Sequence, residues 1–293
     1  MREGHWLELG EGVYARRYDE LDLTVGLVIG KTGCLVIDTR GDVEQGRELA
    51  AAIREITGKP WTVAYTHAHF DHCFGTTAFL PCDVWAHAGC LPELVTSGAA
   101  ARRRWAAWYR EQGKPRIADA LDRTNIELPD RLVTTAAELD LGGRKVALVH
   151  PGKAHTDHDV LVHVPDAGIV FAGDVVENAA SGFSADSFGV DNDVAGWPAA
   201  LDAILALDAD TIVPGHGAAV DREFVAGQRE KLAELVTIHT AVHAGALTAG
   251  DAVARSPYPA EVTLAALKAP PPVDLGNHDC RQHPGRGDVR CDP

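Results

Sequence analysis

The segment Thr66-His67-Ala68-His69-Phe70-Asp71-His72 follows the apolar run Trp61–Tyr65 directly and is dense in metal-ligand side chains. Neutral imidazole and carboxylate suit zinc, iron and similar divalent ions. His67 and His69, two apart, converge on one ion where the loop stays extended. Asp71 and His72 then fall at the next bend, where they can face a second ion. Three more residues of ligand type share this placement. His155 follows Lys145–Val149 and the turn at Pro151-Gly152, Asp174 ends Ile169-Val170-Phe171-Ala172-Gly173, and His216 follows Thr211–Val213 within Pro214-Gly215-His216-Gly217. Each stands just past an apolar run, beside glycine that lets backbone approach closely. One alone is a weak pattern; four strands delivering ligands to one edge is a strong one. Two cations about 3.5–4 Å apart can share a hydroxide and bring the pKa of bound water towards neutrality. That chemistry needs no nucleophilic serine, and the chain has no GxSxG elbow.

The elements that must hold these residues are legible from periodicity. Val13–Tyr18, Leu23–Ile29 and Cys34–Ile37 are rich in β-branched residues and broken by Gly10, Gly12, Gly30 and Gly33, which predicts an antiparallel meander. A helix is predicted from Val43 to Thr57, stopping at Gly58-Lys59-Pro60, followed by a strand over Trp61–Tyr65. Residues 88–123 read as a helical insertion interrupted at Gly113 and Pro115, with Trp105 and Trp108 as core positions rather than substrate-stacking ones. Strands are expected at Lys145–Val149, Val160–Val164, Gly168–Ala172 and Thr211–Val213, and helices at Gly196–Leu207, Asp221–Ala244 and Ala246–Ala254. Asn178–Asp193 reads as irregular. Residues 1–267 are expected to form one domain, and 268–293, rich in proline, glycine and charge, a loose tail. The alternation of β-rich and helical stretches predicts two β-plus-helix halves packed sheet to sheet.

Composition narrows the partners. A formal net charge of −15 opposes binding of nucleic acid or an anionic membrane through the net field. No apolar run reaches the roughly 18 residues of a transmembrane helix, and the N-terminus lacks the apolar core of a signal peptide, so a cytoplasmic protein acting on a small molecule is expected. Six cysteines in 293 residues do not make a disulfide scaffold. Cys73 is expected to pack beneath the histidine-rich loop. Asp159 is a candidate to hydrogen-bond a ligand histidine and His158 reads as a loop residue. His87, His150, His239 and His243 have no evident partners, and the spacing of His278, Cys280, His283 and Cys291 is too irregular for a metal site.

The ordered set THAHFDH, AHTDHD, FAGD and PGHG resembles the metallo-β-lactamase superfamily from about Trp6 to about Val236. The resemblance implies an α/β fold, a four-layer αβ/βα sandwich with metals in a cleft at the sheet edges. It also implies one metal held by His67, His69 and His155, and another by Asp71, His72 and His216, with Asp174 bridging. Zinc is the first choice, with iron or manganese as alternatives, and Asp71 would both bind metal and orient or accept the proton of the nucleophile.

Two departures from the family pattern stand out, the first minor and the second bearing on the substrate. Ala154 stands where the family usually has glycine. Zinc β-lactamases commonly carry cysteine or serine at the position of Asp174, and one large class has lysine where this chain has Glu177. A carboxylate there should repel the carboxylate of β-lactam drugs. The expected function is therefore a dinuclear hydrolase of a small ester, thioester or lactone, using a metal-bound hydroxide. The rivals are a β-lactamase or other amidase, a phosphodiesterase, and a mononuclear iron oxygenase of the same superfamily.

Overall fold

The computed structural model describes residues 4–179, 182–189 and 191–269. The first sheet comprises β1 (His5–Gly10), β2 (Val13–Arg17), β3 (Thr24–Ile29), β4 (Cys34–Ile37), β5 (Trp61–Ala64), β6 (Val84–His87) and β7 (Arg131–Val133), in spatial order β1 to β7. The predicted meander is present: β2, β3 and β4 pair antiparallel, and pairing from β4 through β7 is parallel. The second sheet comprises β8 (Ala136–Asp140), β9 (Lys145–Val149), β10 (Leu161–Val164), β11 (Ile169–Asn178) and β12 (Thr211–Gly217), antiparallel except for the parallel pair β11–β12.

Helices cover both outer faces. Over the first sheet lie α1 (Val43–Ile56), α2 (Phe70–Cys73), α3 (Cys90–Glu111) and α4 (Pro115–Arg123); over the second lie α5 (Trp197–Leu205), α6 (Arg222–His243), α7 (Ala249–Arg255) and α8 (Ala260–Ala266). Three apolar clusters separate the four layers. The middle one joins inward residues of both sheets, among them Val28, Leu35, Leu148, Val162 and Phe171. The layered αβ/βα sandwich expected from the sequence is thus the observed fold. Among the described residues, no helix is long and apolar enough to cross a membrane.

The weakly patterned elements escaped the sequence reading. Strands β1, β6, β7 and β8 and helix α8 were not anticipated. Of these, β1, β7 and β8 are sheet-edge strands, and β1 and β8 bury little and show no clean alternation, while β6 and α8 are only four and seven residues long. Strands β11 and β12 also run further than expected. Gly173, at φ +52°, sits between register shifts, after which pairing resumes at Glu177 opposite His216. Asp174 and His216 therefore lie within strands, at and beyond a bulge, rather than after strand ends. Lys268 and Ala269, assigned from composition to the tail, close the turn after α8, and Ala269 is buried. Residues 270–293, with His278, Cys280, His283 and Cys291, lie outside the described residues.

One close approach sets the position of the histidine-rich loop. Asp42 caps α1 by accepting from the N–H groups of Glu44 and Gln45. The helix then presents Gly46 to Gly75, and a Cβ on Gly75 would lie 2.0 Å from the Thr39 carbonyl oxygen and 2.9 Å from the Gly46 Cα. Both obstacles are backbone, so neither can swing away. Gly75→Ala should lower stability by about 1–3 kcal/mol, the usual cost of overpacking. A urea midpoint equal to that of the wild type would contradict this reading.

Candidate metal centre

The histidine-rich loop leaves the carboxyl end of β5, and the carboxyl ends of the parallel strands in both sheets meet along the same edge of the sandwich, where α/β sheets commonly hold ligands. The seven residues singled out from the sequence come together there, in two groups. His67, His69, His155 and Asp174 form one, and Asp71, His72 and His216 the other; within each group the ligand atoms lie within 4.8 Å of one another. Asp174 is central. Its Oδ2 is 3.6 Å from His67 Nε2, 3.5 Å from His155 Nε2 and 3.4 Å from His216 Nε2, while its Oδ1 is 3.3 Å from His72 Nε2. Asp71 Oδ2 lies 3.4 Å from His216 Nε2 and 3.7 Å from His72 Nε2.

These spacings fit cations. Zinc–nitrogen bonds of about 2.0–2.1 Å in a tetrahedron place ligand atoms about 3.3 Å apart. The buried atoms His67 Nε2, His72 Nε2 and Asp174 Oδ1 have no hydrogen-bond partner among the described residues, a cost of about 1–3 kcal/mol for each unsatisfied group that a coordinated ion would remove. Burial, then the neighbouring His72, holds His67 neutral, and burial pushes His155 down to about 4, so both rings are free to coordinate at pH 7. For His72 and His216 burial is outweighed by Asp174, Asp71 and, for His72, Asp38, which hold both rings protonated well above the usual range. Cation binding there must release those protons.

The other nitrogen of each ring is fixed from outside. His72 Nδ1–H donates to Asp38 Oδ2 at 2.8 Å, and Asp38 also accepts from the backbone N–H and hydroxyl of Thr66 at 2.7 and 2.8 Å. Asp38 follows β4 at φ +64°, a left-handed conformation that aspartate tolerates better than most residues. His67 Nδ1 is 3.1 Å from the Thr66 hydroxyl, and His216 Nδ1–H donates to the Leu21 carbonyl at 2.7 Å. His69 turns Nδ1 towards His155 Nε2, 3.0 Å away, and Nε2 towards Asp191 Oδ2, also 3.0 Å away. Gly215 provides the close backbone approach, since a Cβ there would lie 1.9 Å from Asp174 Oδ1.

Sequence reasoning missed Asp38, the carboxylate that orients His72. It stands at the end of an apolar strand, as Asp174 was expected to, and that placement was the available clue. Asp159, proposed for such a role, instead accepts from the N–H and hydroxyl of Thr156 at 2.8 and 2.7 Å, closing its own loop. His158 is buried, and its Nε2 accepts from the Ala68 N–H at 3.3 Å. His87 and His150 do have partners: their rings stack at 4.2 Å, His87 Nε2 contacts the Thr134 carbonyl, and His150 Nδ1 contacts that of Asp159. His239 and His243 also pair, with ring centroids 4.3 Å apart. Cys73 packs beneath the loop as expected, its thiol directed at the carbonyls of Ala68 and His69. Trp105 stacks on Phe70 at 4.4 Å, so the α3 tryptophan braces the helix that carries Asp71 and His72.

The surroundings of Glu177 bear on the electrostatic argument about β-lactams. The side chain is buried and its Oε2 accepts from the Ser187 hydroxyl at 2.8 Å. Burial, then the Asp174 charge, pushes its carboxyl up to about 8. Such a group carries little charge at pH 7 unless cations beside it draw the proton off.

Residues 19–216 match the family described as "Metallo-beta-lactamase superfamily". The chain belongs to the metallo-β-lactamase superfamily. It is a hydrolase of that superfamily with two groups of candidate ligands. The chain is 26% identical over 204 residues to "Metallo-beta-lactamase type 2" of Bacillus sp. (strain 170), covering 67% of this chain and 68% of that protein. It is 24% identical over 228 residues to "Linear primary-alkylsulfatase" of Pseudomonas sp. (strain ATCC 19151), covering 70% of this chain and 42% of that longer protein. The solved structure of the stereoselective inverting sec-alkylsulfatase Pisa1 from Pseudomonas sp. shares the fold, with a TM-score of 0.73 at 19% identity, covering 90% of this chain and 49% of that one.

Proposed function

We propose that this superfamily member is a dinuclear metal-dependent hydrolase, zinc-loaded in preference to iron or manganese, that cleaves a small-molecule carboxylic ester, thioester or lactone. The observation that carries the reading is Asp174, one carboxylate within 3.3–3.6 Å of a nitrogen on each of four histidines. A single tetrahedral ion has no use for seven ligand residues, whereas two ions sharing a carboxylate do. His67, His69 and His155 would hold one ion, Asp71, His72 and His216 the other, and Asp174 both.

Two such ions supply an activated water at neutral pH and polarise the bond to be cleaved. The chain's own residues do the rest. Asp71 orients the attacking water and accepts its proton, which passes to the departing alcohol, thiol or hydroxyl as the acyl bond breaks. Asp38, Thr66 and the Leu21 carbonyl keep the ring nitrogens aimed at the centre. His69, the most exposed of the set, marks the side from which substrate approaches.

Similarity to the linear primary-alkylsulfatase over 70% of this chain favours a second reading, hydrolysis of an alkyl sulfate ester by the same centre. A panel of chromogenic esters, thioesters, lactones, β-lactams, phosphodiesters and alkyl sulfates decides between them. The best carboxylic ester, thioester or lactone should lead the panel. Chelation should abolish turnover, and zinc, manganese or iron should restore it. Penicillin turnover with kcat/KM above roughly 10⁵ M⁻¹s⁻¹, an ordinary value for an enzyme on its own substrate, would overturn the reading, as would full activity in protein free of metal.

A further inference from the structure

Asp191 and the two residues after it make a contact that none of the expected ligand roles uses. Asp191 Oδ2 lies 3.0 Å from His69 Nε2, and the opposite nitrogen of that ring faces His155 Nε2. The Asn192 side-chain amide donates to the His155 carbonyl, and the Asp193 N–H donates to the Ala154 carbonyl at 2.8 Å. Asp193 Oδ1 then accepts from the Gly196 N–H at 3.0 Å, just ahead of α5. Three consecutive residues thus reach the ring of one histidine, the backbone of another and the start of a helix.

We infer that Asp191 is a positioning residue that holds His69 with Nδ1 directed at the metal, and that Asp191–Asp193 clasp the segment ahead of α5 to the His69 and His155 side of the centre. The inference rests on the dinuclear reading above. A neutral imidazole has one N–H, and a carboxylate at Nε2 draws that proton to the outer nitrogen, leaving the Nδ1 lone pair to coordinate. The same hydrogen bond raises the basicity of Nδ1 as a ligand and removes the freedom of a ring whose side chain is 36% exposed. His72 and His216 owe their orientation to Asp38, which follows β4, and to the Leu21 carbonyl, before β3. His69 owes its orientation to Asp191, in the segment just ahead of α5, so the placement of that segment sets how tightly the first ion is held.

The test is zinc titration of the metal-stripped wild type, Asp191→Ala, Asp191→Asn and Asp186→Ala in competition with a chromophoric chelator, repeated with cobalt to read its visible absorption. Asp186 lies exposed on the same segment. Asp191→Ala should weaken one of two zinc equivalents by about 10–100-fold, the usual cost of losing such a partner, and should alter the cobalt spectrum. Asp191→Asn keeps an acceptor oxygen and should recover most of the affinity; Asp186→Ala should match wild type. Unchanged zinc affinity in Asp191→Ala, or an equal loss in all three variants, would overturn the positioning role while leaving the dinuclear centre intact. Wild type that binds no zinc would overturn the metal-centre reading itself, and the clasp with it.

Discussion

Asp174→Asn should leave the chain with about one bound metal where the wild type holds close to two, and activity should fall in step. Two cations about 3.5–4 Å apart repel each other, and a carboxylate between them offsets that repulsion while touching both. Asparagine keeps the shape and loses the charge. The ion held by His67, His69 and His155 should survive, because burial already keeps His67 and His155 neutral. The ion at His72 and His216 must displace protons that neighbouring carboxylates hold on those rings, so it binds at a greater cost. Elemental analysis of both proteins, with turnover of the best panel substrate, checks the result. Wild type that is fully active with one metal would instead favour the mononuclear iron oxygenase.

His69→Ala should cost more than about 100-fold in turnover, beyond the 10–100-fold typical of losing a residue that only orients a ligand. The mutation removes one of three imidazoles from the first ion and leaves a half-open position on the substrate side. His87→Ala should change turnover by less than a few-fold. Its ring stacks on His150 and bonds backbone at Thr134 and Gly89, so its loss is expected to cost about 1 kcal/mol of stability, the net worth of an ordinary hydrogen bond. Steady-state kinetics with circular dichroism as a fold check separates the two effects. Equal, mild losses from both variants would contradict the ligand assignment.

Much of the fold was legible because its central elements carry strong local patterns. The strands Cys34–Ile37 and Lys145–Val149 and the helix over 43–56 stand where β-branched runs, helical spacing and glycine stops placed them. Marginal strands such as β7 and β8 were not, because neither face is buried enough to impose alternation. The bulge at Gly173 was invisible for a different reason: it exists only against β12, which arrives some forty residues later.

The seven candidate ligands that the fold brings together were legible in the sequence, because coordination restricts the residue types, the spacings within THAHFDH are set by a few bonds of chain, and His155, Asp174 and His216 each follow an apolar run. Which nitrogen of each ring faces inward was decided only by tertiary structure. Asp38 lies 34 residues from His72, Asp191 lies 122 from His69, and the Leu21 carbonyl lies 195 from His216. The charge of Glu177 belongs to the same class: in the sequence it is an anion, and burial, then the Asp174 charge, raises its carboxyl to about 8. Ligand identity is a property of side chains, but ring orientation and ionisation depend on neighbours that only folding brings within hydrogen-bonding distance.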